Sequence, residues 1–248
     1  MLDIFLVPTL LLLVLVMIHT WFGIKILERG IIFTDLAIGQ LAALGAAISF
    51  GYFHGEYLYL FTLTFAFLGA FLITLGSYKQ LHLEAYIGLL YVLGASGIMM
   101  VLAQSAEGME HFKSLLANDI LFTTYEDLYQ SSAIYFGVAL AIYFLYSKVN
   151  GFFKELLFFS LLAITVTSSV QLAGVFVVFT LLIAPAMVAT LFTKFSALYT
   201  AFVFGWTFTI FAMIIGFYYD LPTGYSIVFF GALSSLILVL LFSKKKTT

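Results

Sequence analysis

Hydrophobic residues in this chain form long, uninterrupted runs that short polar breaks separate. A helix that crosses about 30 Å of hydrocarbon needs roughly 20 apolar residues. The runs are continuous and do not alternate with polar residues, which favours helices over barrel strands. They predict nine membrane-spanning helices, near residues 4–24, 33–53, 57–75, 83–104, 128–147, 155–170, 173–192, 195–216 and 224–242.

The apolar stretch 155–192 is the least regular part of this pattern. It is too long for one span and short for two, and the polar letters "TSSVQLAG" lie in its middle. A re-entrant or kinked segment is the alternative to two full spans there. We therefore expect an all-α, polytopic transmembrane bundle of about eight to nine spans, formed by a single transmembrane domain, residues 1–248.

Composition supports this class and excludes several activities. Of 248 residues, 64% are hydrophobic and 9% are charged, which is typical of an integral membrane protein. No cysteine is present, so disulfides and thiolate metal sites are excluded. No G-x-x-x-x-G-K-[ST] loop and no H-E-x-x-H occurs. We expect no enzyme activity in this chain and no nucleic-acid partner, and any ATPase must be a separate chain.

The basic residues predict the orientation of the chain. With nine spans, all but Lys113 of the ten basic residues fall on one side, which the positive-inside rule assigns to the cytoplasm. The C-terminal "SKKKTT" then faces inward, in a cell membrane (inner or plasma). The outer loops collect most of the acidic residues. These acidic residues are either a by-product of this topology or part of a vestibule that attracts cations.

The stretch "TDLAIGQLAALGAA", residues 34–47, places a carboxylate and an amide in an apolar helix. Stepping by four from Asp35 reaches Gly39, Ala43 and Ala47, a face of small side chains that predicts a tight helix contact or the wall of a narrow path. Gln40 lies about 140° round the helix from Asp35. Asp35 has two explanations. Either Thr34 or Asp35 caps the helix N-terminus, or the carboxylate binds a cation inside the membrane.

A second informative stretch is "SVQLAGVFVVFTLLIAPAMVATLFTK". Pro185 lies one to two turns before Lys194 and removes the hydrogen bond to the Leu181 carbonyl, so we expect a kink or a helix end there. A short helix that projects into the cytoplasm from this point would offer a docking surface. An ordinary membrane-helix kink is the alternative.

Five stretches, taken in order, resemble a known family. They are "RGIIFTDLAIGQLAALGAA", "LEAYIGLLYVLGASGI", "LLANDILFTTYEDL", "SVQLAGVFVVFTLLIAPAMVATLF" and "DLPTGYSIVFFGAL". Together they are similar to the membrane subunit of metal-importing ABC transporters, the zinc/manganese/iron permease family, from about residue 25 to residue 240.

The resemblance implies a type II ABC importer fold and a set of partners. These are a second copy of the permease, cytoplasmic ABC ATPase subunits that use ATP, and an extracytoplasmic metal-binding protein that delivers a divalent ion. No permanently bound cofactor is implied. Asp35, Gly39 and Gln40 would line the ion path. The ATPase-coupling segment would run from roughly Pro185 to Ala197 and include Ala186, Ala189, Thr190 and Lys194.

The sequence departs from the family pattern at two places. The family usually has a histidine one turn after the aspartate, and here that position is Gly39, with Gln40 beside it. A carboxylate with an amide is a harder, weaker site than one with an imidazole. The cytoplasmic segment "SKVNGFFKE" is also shorter than usual. The leading hypothesis is a metal-ion ABC permease, and the alternative is a secondary carrier driven by an ion gradient with Asp35 or Glu84 as its proton site.

Overall fold

The computed structural model describes residues 2–79, 82–105, 108–110, 112, 120–192 and 195–242. These residues contain nine α-helices and a short 3-10 turn, Ile120–Phe122. The helices are α1 (Leu2–Arg29), α2 (Thr34–Phe53), α3 (Leu58–Tyr78), α4 (Leu83–Leu102), α5 (Tyr125–Leu145), α6 (Phe152–Ala173), α7 (Val175–Ala189), α8 (Ala197–Tyr218) and α9 (Thr223–Phe242).

Eight of these helices are long and apolar enough to cross a membrane, and α7 is a shorter apolar helix. The expectation of an all-α bundle with about eight to nine spans is therefore confirmed. The predicted and observed helix bounds differ by a few residues, except at α1, which continues beyond Ile24 to Arg29.

The irregular stretch 155–192 is two helices with a sharp break between them. The break is Gly174, whose φ of 82° lies in the region that side chains other than glycine rarely adopt. Its N–H makes the last helical hydrogen bond of α6, to the Val170 carbonyl at 2.9 Å, and its non-helical backbone then ends the helix. The polar letters that divided the predicted spans are thus mostly inside α6, and the glycine makes the division.

The chain forms two compact units, each assembled from separate stretches of sequence. The first contains α1, the 3-10 turn, the start of α5, α7, α8 and α9. The second contains α2, α3, α4, the rest of α5, and α6. That the chain acts as a single permease domain stays a prediction.

In the first unit, close backbone contacts hold α7 against its neighbours. A Cβ at Gly23 of α1 would collide with the Leu182 carbonyl of α7. A Cβ at Gly205 of α8 would lie 3.2 Å from the Pro185 ring. Glycines at these positions let the helices approach to a distance that any side chain would prevent.

Helix α7 runs beside α9 over most of its length. At one end, a Cβ at Gly224 would lie 3.5 Å from Val177. At the other end, the Phe192 and Phe242 rings are 5.9 Å apart. Backbone hydrogen bonds from residues 190–192 to carbonyls three residues earlier carry the chain past the end of α7 at Ala189. At 15 residues, α7 is shorter than the eight candidate spans, and a ninth crossing stays a prediction.

In the second unit, α2 packs against α3, α4 and α6. Its closest approach is at Gly45, where a Cβ would collide with the Phe61 carbonyl of α3. This glycine is not on the predicted Asp35–Gly39–Ala43–Ala47 face. Ala47 on that face is fully buried and belongs to an apolar cluster with Ile98 and Leu102 of α4. Helix α2 thus has small residues on several of its faces, and this explains why three helices can pack around it.

Candidate ion site around Asp35

Asp35 is the second residue of α2 and is 2% exposed. The N-cap position belongs to Phe33, which makes no side-chain cap hydrogen bond. The Thr34 hydroxyl donates to the Ile31 carbonyl at 2.7 Å. The N-cap is therefore Phe33 and neither Thr34 nor Asp35, but the Asp35 carboxylate does lie beside backbone N–H groups of the first turn, as the capping explanation expects.

The Asp35 carboxylate has little to balance its burial. The backbone N–H groups of Asp35 and Leu36 lie near it, and the helix N-terminus favours negative charge there. Its Oδ1 atom is buried and has no hydrogen-bond partner among the described residues. The ion pair between Lys25 and Glu28, at 2.7 Å, does not involve Asp35. Burying an uncompensated carboxylate costs several kcal/mol, which a bound cation would offset.

Asp35 and Gly39 lie one turn apart on the same side of α2, about 40° from each other. A Cβ at Gly39 would lie 3.9 Å from the Val166 Cγ1 of α6, and in the described part of the chain no other atom of a neighbouring helix comes within 4 Å of it. The position where the family usually has histidine is therefore a gap beside α6.

Gln40 faces a different helix. A Cβ at Gly94 of α4 would lie 3.0 Å from both the Gln40 Cβ and its backbone carbon. Gln40 thus packs on α4, whereas Gly39 faces α6. The structure brings Asp35 and Gly39 to one side of α2 and does not bring Gln40 there.

Sequence reasoning missed a row of hydroxyl groups on α6. Thr165, Ser168 and Ser169 are buried in the turn on either side of Val166. The Ser168 Oγ lies 3.0 Å from the hydroxyl of Tyr135 on α5, which is also buried. The signal was present in "TVTSSVQ", but its polar letters were interpreted as the end of a span.

No three His, Cys, Asp or Glu side chains lie close enough together to hold a metal ion in the part of the chain that the structure describes. Among the described residues, Asp35 therefore belongs to no group of three such side chains.

The predicted coupling segment begins inside α7. Pro185, Ala186 and Ala189 are buried, and the helix continues through Pro185 to Ala189 instead of ending at the proline. Thr190 is exposed. Lys194 lies outside the described residues. Ala186, Ala189 and Thr190 line an open cleft of about 210 Å³ together with Ile24, Leu27, Glu28 and Ala197.

Comparisons with known proteins agree with this architecture. The ABC 3 transport family matches residues 147–243. A structure of PsaBC from Streptococcus pneumoniae in complex with Fab is similar over 97% of this chain and 92% of that chain, with 20% identity and a TM-score of 0.76. An inward-facing conformation of a metal-chelate type ABC transporter is similar over 94% of this chain and 85% of that chain, with 16% identity and a TM-score of 0.68.

No curated protein sequence matches the chain. The family match covers α6 to α9, and the shared fold covers nearly all of the remaining helices. The family match therefore supports the resemblance found in the sequence over residues 147–243, and the solved structures show the same fold over nearly the whole chain.

Proposed function

We propose that this chain is the permease subunit of an ABC importer for divalent metal ions. The observation that carries the proposal is the buried Asp35 carboxylate, one oxygen of which has no hydrogen-bond partner among the described residues. An intramembrane carboxylate of this kind is costly unless it serves an ion path. The similarity to a metal-chelate type ABC transporter supports a metal as the cargo.

The proposed assembly contains two copies of the permease, cytoplasmic ABC ATPase subunits and an extracytoplasmic metal-binding protein. The ion is delivered at the outer face, passes Asp35, and leaves inward when ATP binding and hydrolysis on the partner chains alternate access. ATP acts on the partner, and no cofactor is held permanently by this chain. The basic loops and the C-terminus face the cytoplasm.

The role of each predicted site residue follows from its position. Asp35 is the charged ligand and Gly39 provides space for the ion or its water. Gln40 packs on α4, so it supports the helix pair and contributes a polar group only at a distance from Asp35. On the cytoplasmic side, the ATPase contacts Thr190 and the residues that follow it. Ala186 and Ala189 form the buried wall of the cleft, and Pro185 is buried within α7.

The experiment that tests this function is uptake of Mn²⁺ or Zn²⁺ into proteoliposomes that contain the permease, its ATPase and the metal-loaded binding protein. We expect uptake that requires ATP on the side of the membrane where the ATPase lies. This uptake should continue when ionophores collapse the proton and sodium gradients. Uptake that ignores ATP and stops with the gradients would show a secondary carrier instead.

A further inference from the structure

The chain passes between the two compact units at four places, after Arg29, Asn118, Ser132 and Val175. The second of these lies outside the described residues, so the structure describes three crossings. Units that move as separate bodies need places where the connecting backbone changes direction, because packing holds the chain inside each unit. The backbone at the three described crossings is therefore informative.

The first crossing is at Gly30, which joins α1 to the turn before α2. Its φ of 66° lies in the left-handed region that favours glycine. Its chain neighbours aside, no described atom would lie within 4 Å of a Cβ placed there. The chain is fixed on both sides, because Arg29 ends α1 and the Thr34 N–H and hydroxyl both donate to the Ile31 carbonyl, at 3.2 and 2.7 Å. Rotation between the two helices is therefore concentrated at Gly30.

The last crossing is at Gly174, which alone separates α6 from α7. Its φ of 82° and ψ of 157° lie in a region of backbone conformation that is essentially restricted to glycine. A Cβ at Gly174 would also have no described atom within 4 Å, apart from the adjacent residues. Both crossings thus have room for a side chain. The backbone conformation, and not close packing, explains why each residue is glycine.

The remaining described crossing is inside α5, between Ser132 and Ala133. One residue before it, the Ser131 hydroxyl donates to the Asp127 carbonyl at 2.6 Å. Such a bond from a serine to its own helix often bends the helix. One turn after the crossing, Gly137 lies in the helix interior, and a Cβ there would have no described atom within 4 Å outside its own helix turn. Serine and glycine are common at helix kinks, so α5 bends most easily near the crossing.

Two glycines inside the second unit share this local geometry without the position. Gly151, between α5 and α6, is exposed like Gly30, has a φ of 59° and would place a Cβ in open space among the described residues. Gly88 is a helical glycine of α4 that is equally open around its Cβ position. Both lie within the second unit. They are therefore matched controls for Gly30 and Gly137.

We propose that Gly30, Gly174 and the 131–137 stretch of α5 are hinges about which the two units move as bodies during transport. The inference rests on the proposed function and adds to it the moving parts inside one permease chain. Hinges are typically a few loop or element-terminal residues that absorb the change in φ and ψ, as Gly30 and Gly174 are placed to do. Gly30 is five residues before Asp35, so rotation there turns the start of the helix that carries the carboxylate.

The test uses the full assembly in proteoliposomes and measures ATP-driven Mn²⁺ uptake per assembled transporter. Gly30→Ala and Gly174→Ala restrict the two loop hinges, with Gly151→Ala as the control. Gly137→Ala stiffens α5, with Gly88→Ala as the control. The unfolding temperature of each purified permease is measured beside its uptake, so that backbone strain and hinge restriction are separated.

Alanine at a positive φ is strained, so we expect Gly30→Ala and Gly151→Ala to unfold at similarly lowered temperatures. Uptake should fall several-fold in Gly30→Ala and Gly174→Ala and stay close to the parent in Gly151→Ala. Alanine forms helices better than glycine, so Gly137→Ala and Gly88→Ala should both be more stable than the parent. Of these two, only Gly137→Ala should lose uptake several-fold, a combination that a purely structural glycine would not give.

Hinge variants that transport as well as their controls would overturn this inference. Equal losses in Gly30→Ala and Gly151→Ala would also overturn it, because strain alone would then be the cause. Where Gly30→Ala or Gly174→Ala fails to assemble, the more stable Gly137→Ala decides. A parent without ATP-dependent uptake would overturn the proposed function and the hinges with it, whereas failure of the hinges alone leaves the parent active.

Discussion

Gly39 of α2 lies level with Val166 of α6, and a Cβ on the glycine would be 3.9 Å from the valine Cγ1. This is ordinary van der Waals contact, so the gap beside α6 accepts a methyl group. Gly39→Ala should therefore leave the assembly intact and raise its thermal stability slightly, since alanine in a helix interior is favoured over glycine by roughly 1 kcal/mol. Thermal unfolding of the purified permease in detergent measures this.

Gly45, on the same helix, is the matched contrast. A Cβ there would collide with the Phe61 carbonyl of α3. Gly45→Ala should lower the unfolding temperature, because overpacking a tight contact costs about 1–3 kcal/mol. Equal stability of the Gly39→Ala and Gly45→Ala variants would contradict the packing described for α2.

The exposed end of α7 should matter for coupling to the ATPase. Thr190→Tyr places a bulky ring at the mouth of the cleft that Glu28, Ala189 and Ala197 also line. We expect it to reduce transport-coupled ATP hydrolysis while the permease still folds. Measuring ATPase activity of the reconstituted assembly, with and without loaded binding protein, checks this.

Thr207 provides the control for that variant. Both threonines are exposed, and both hydroxyls donate to a backbone carbonyl of their own segment at 2.7 Å. Thr207 is on α8, away from the cleft, so Thr207→Tyr should leave coupling unchanged. Equal effects of the two substitutions would remove the case for the cleft as the ATPase contact.

The absence of native cysteine makes the predicted orientation easy to test. Ser147 follows α5 near the basic residues, and Gln104 follows α4 at the opposite end. A membrane-impermeant thiol reagent applied to intact cells should label Gln104→Cys, and label Ser147→Cys only after permeabilisation. The reverse pattern would mean that Asp35 lies at the outer end of its helix.

The sequence was sufficient for the helices and for Asp35, and it was insufficient for the surroundings of Asp35. Long apolar runs predict spans because the bilayer requires a fixed length of apolar helix. The 140° between Asp35 and Gln40 followed from helix geometry. Gln40 packs on α4, whereas Gly39, one turn after Asp35, faces α6. Which helices pack on each side of α2 depends on the tertiary structure, which a single amino-acid sequence does not give.

The hydroxyl row shows why the rest was missed. Ser168 and Ser169 were interpreted as a polar break in an apolar stretch. Their hydroxyl groups instead donate to backbone carbonyls of α6, and both residues are buried in a continuous helix. Similarly, Pro185 predicted a helix end, but the turn at Ala189 ends α7 four residues later. The serines of α6 and Pro185 of α7 therefore predicted the local polarity and backbone hydrogen bonding correctly. The helix ends that they predicted were wrong.

The measurement that tests the central claim most directly is ATP-driven metal uptake by the Asp35→Asn assembly. Asparagine keeps the size of the side chain and removes the charge, so the fold should survive, and Asp35→Glu serves as the partial rescue. We predict that Asp35→Asn assembles with its ATPase but loses most metal uptake, and that Asp35→Glu recovers part of it. Full uptake by the assembled Asp35→Asn protein would contradict the account.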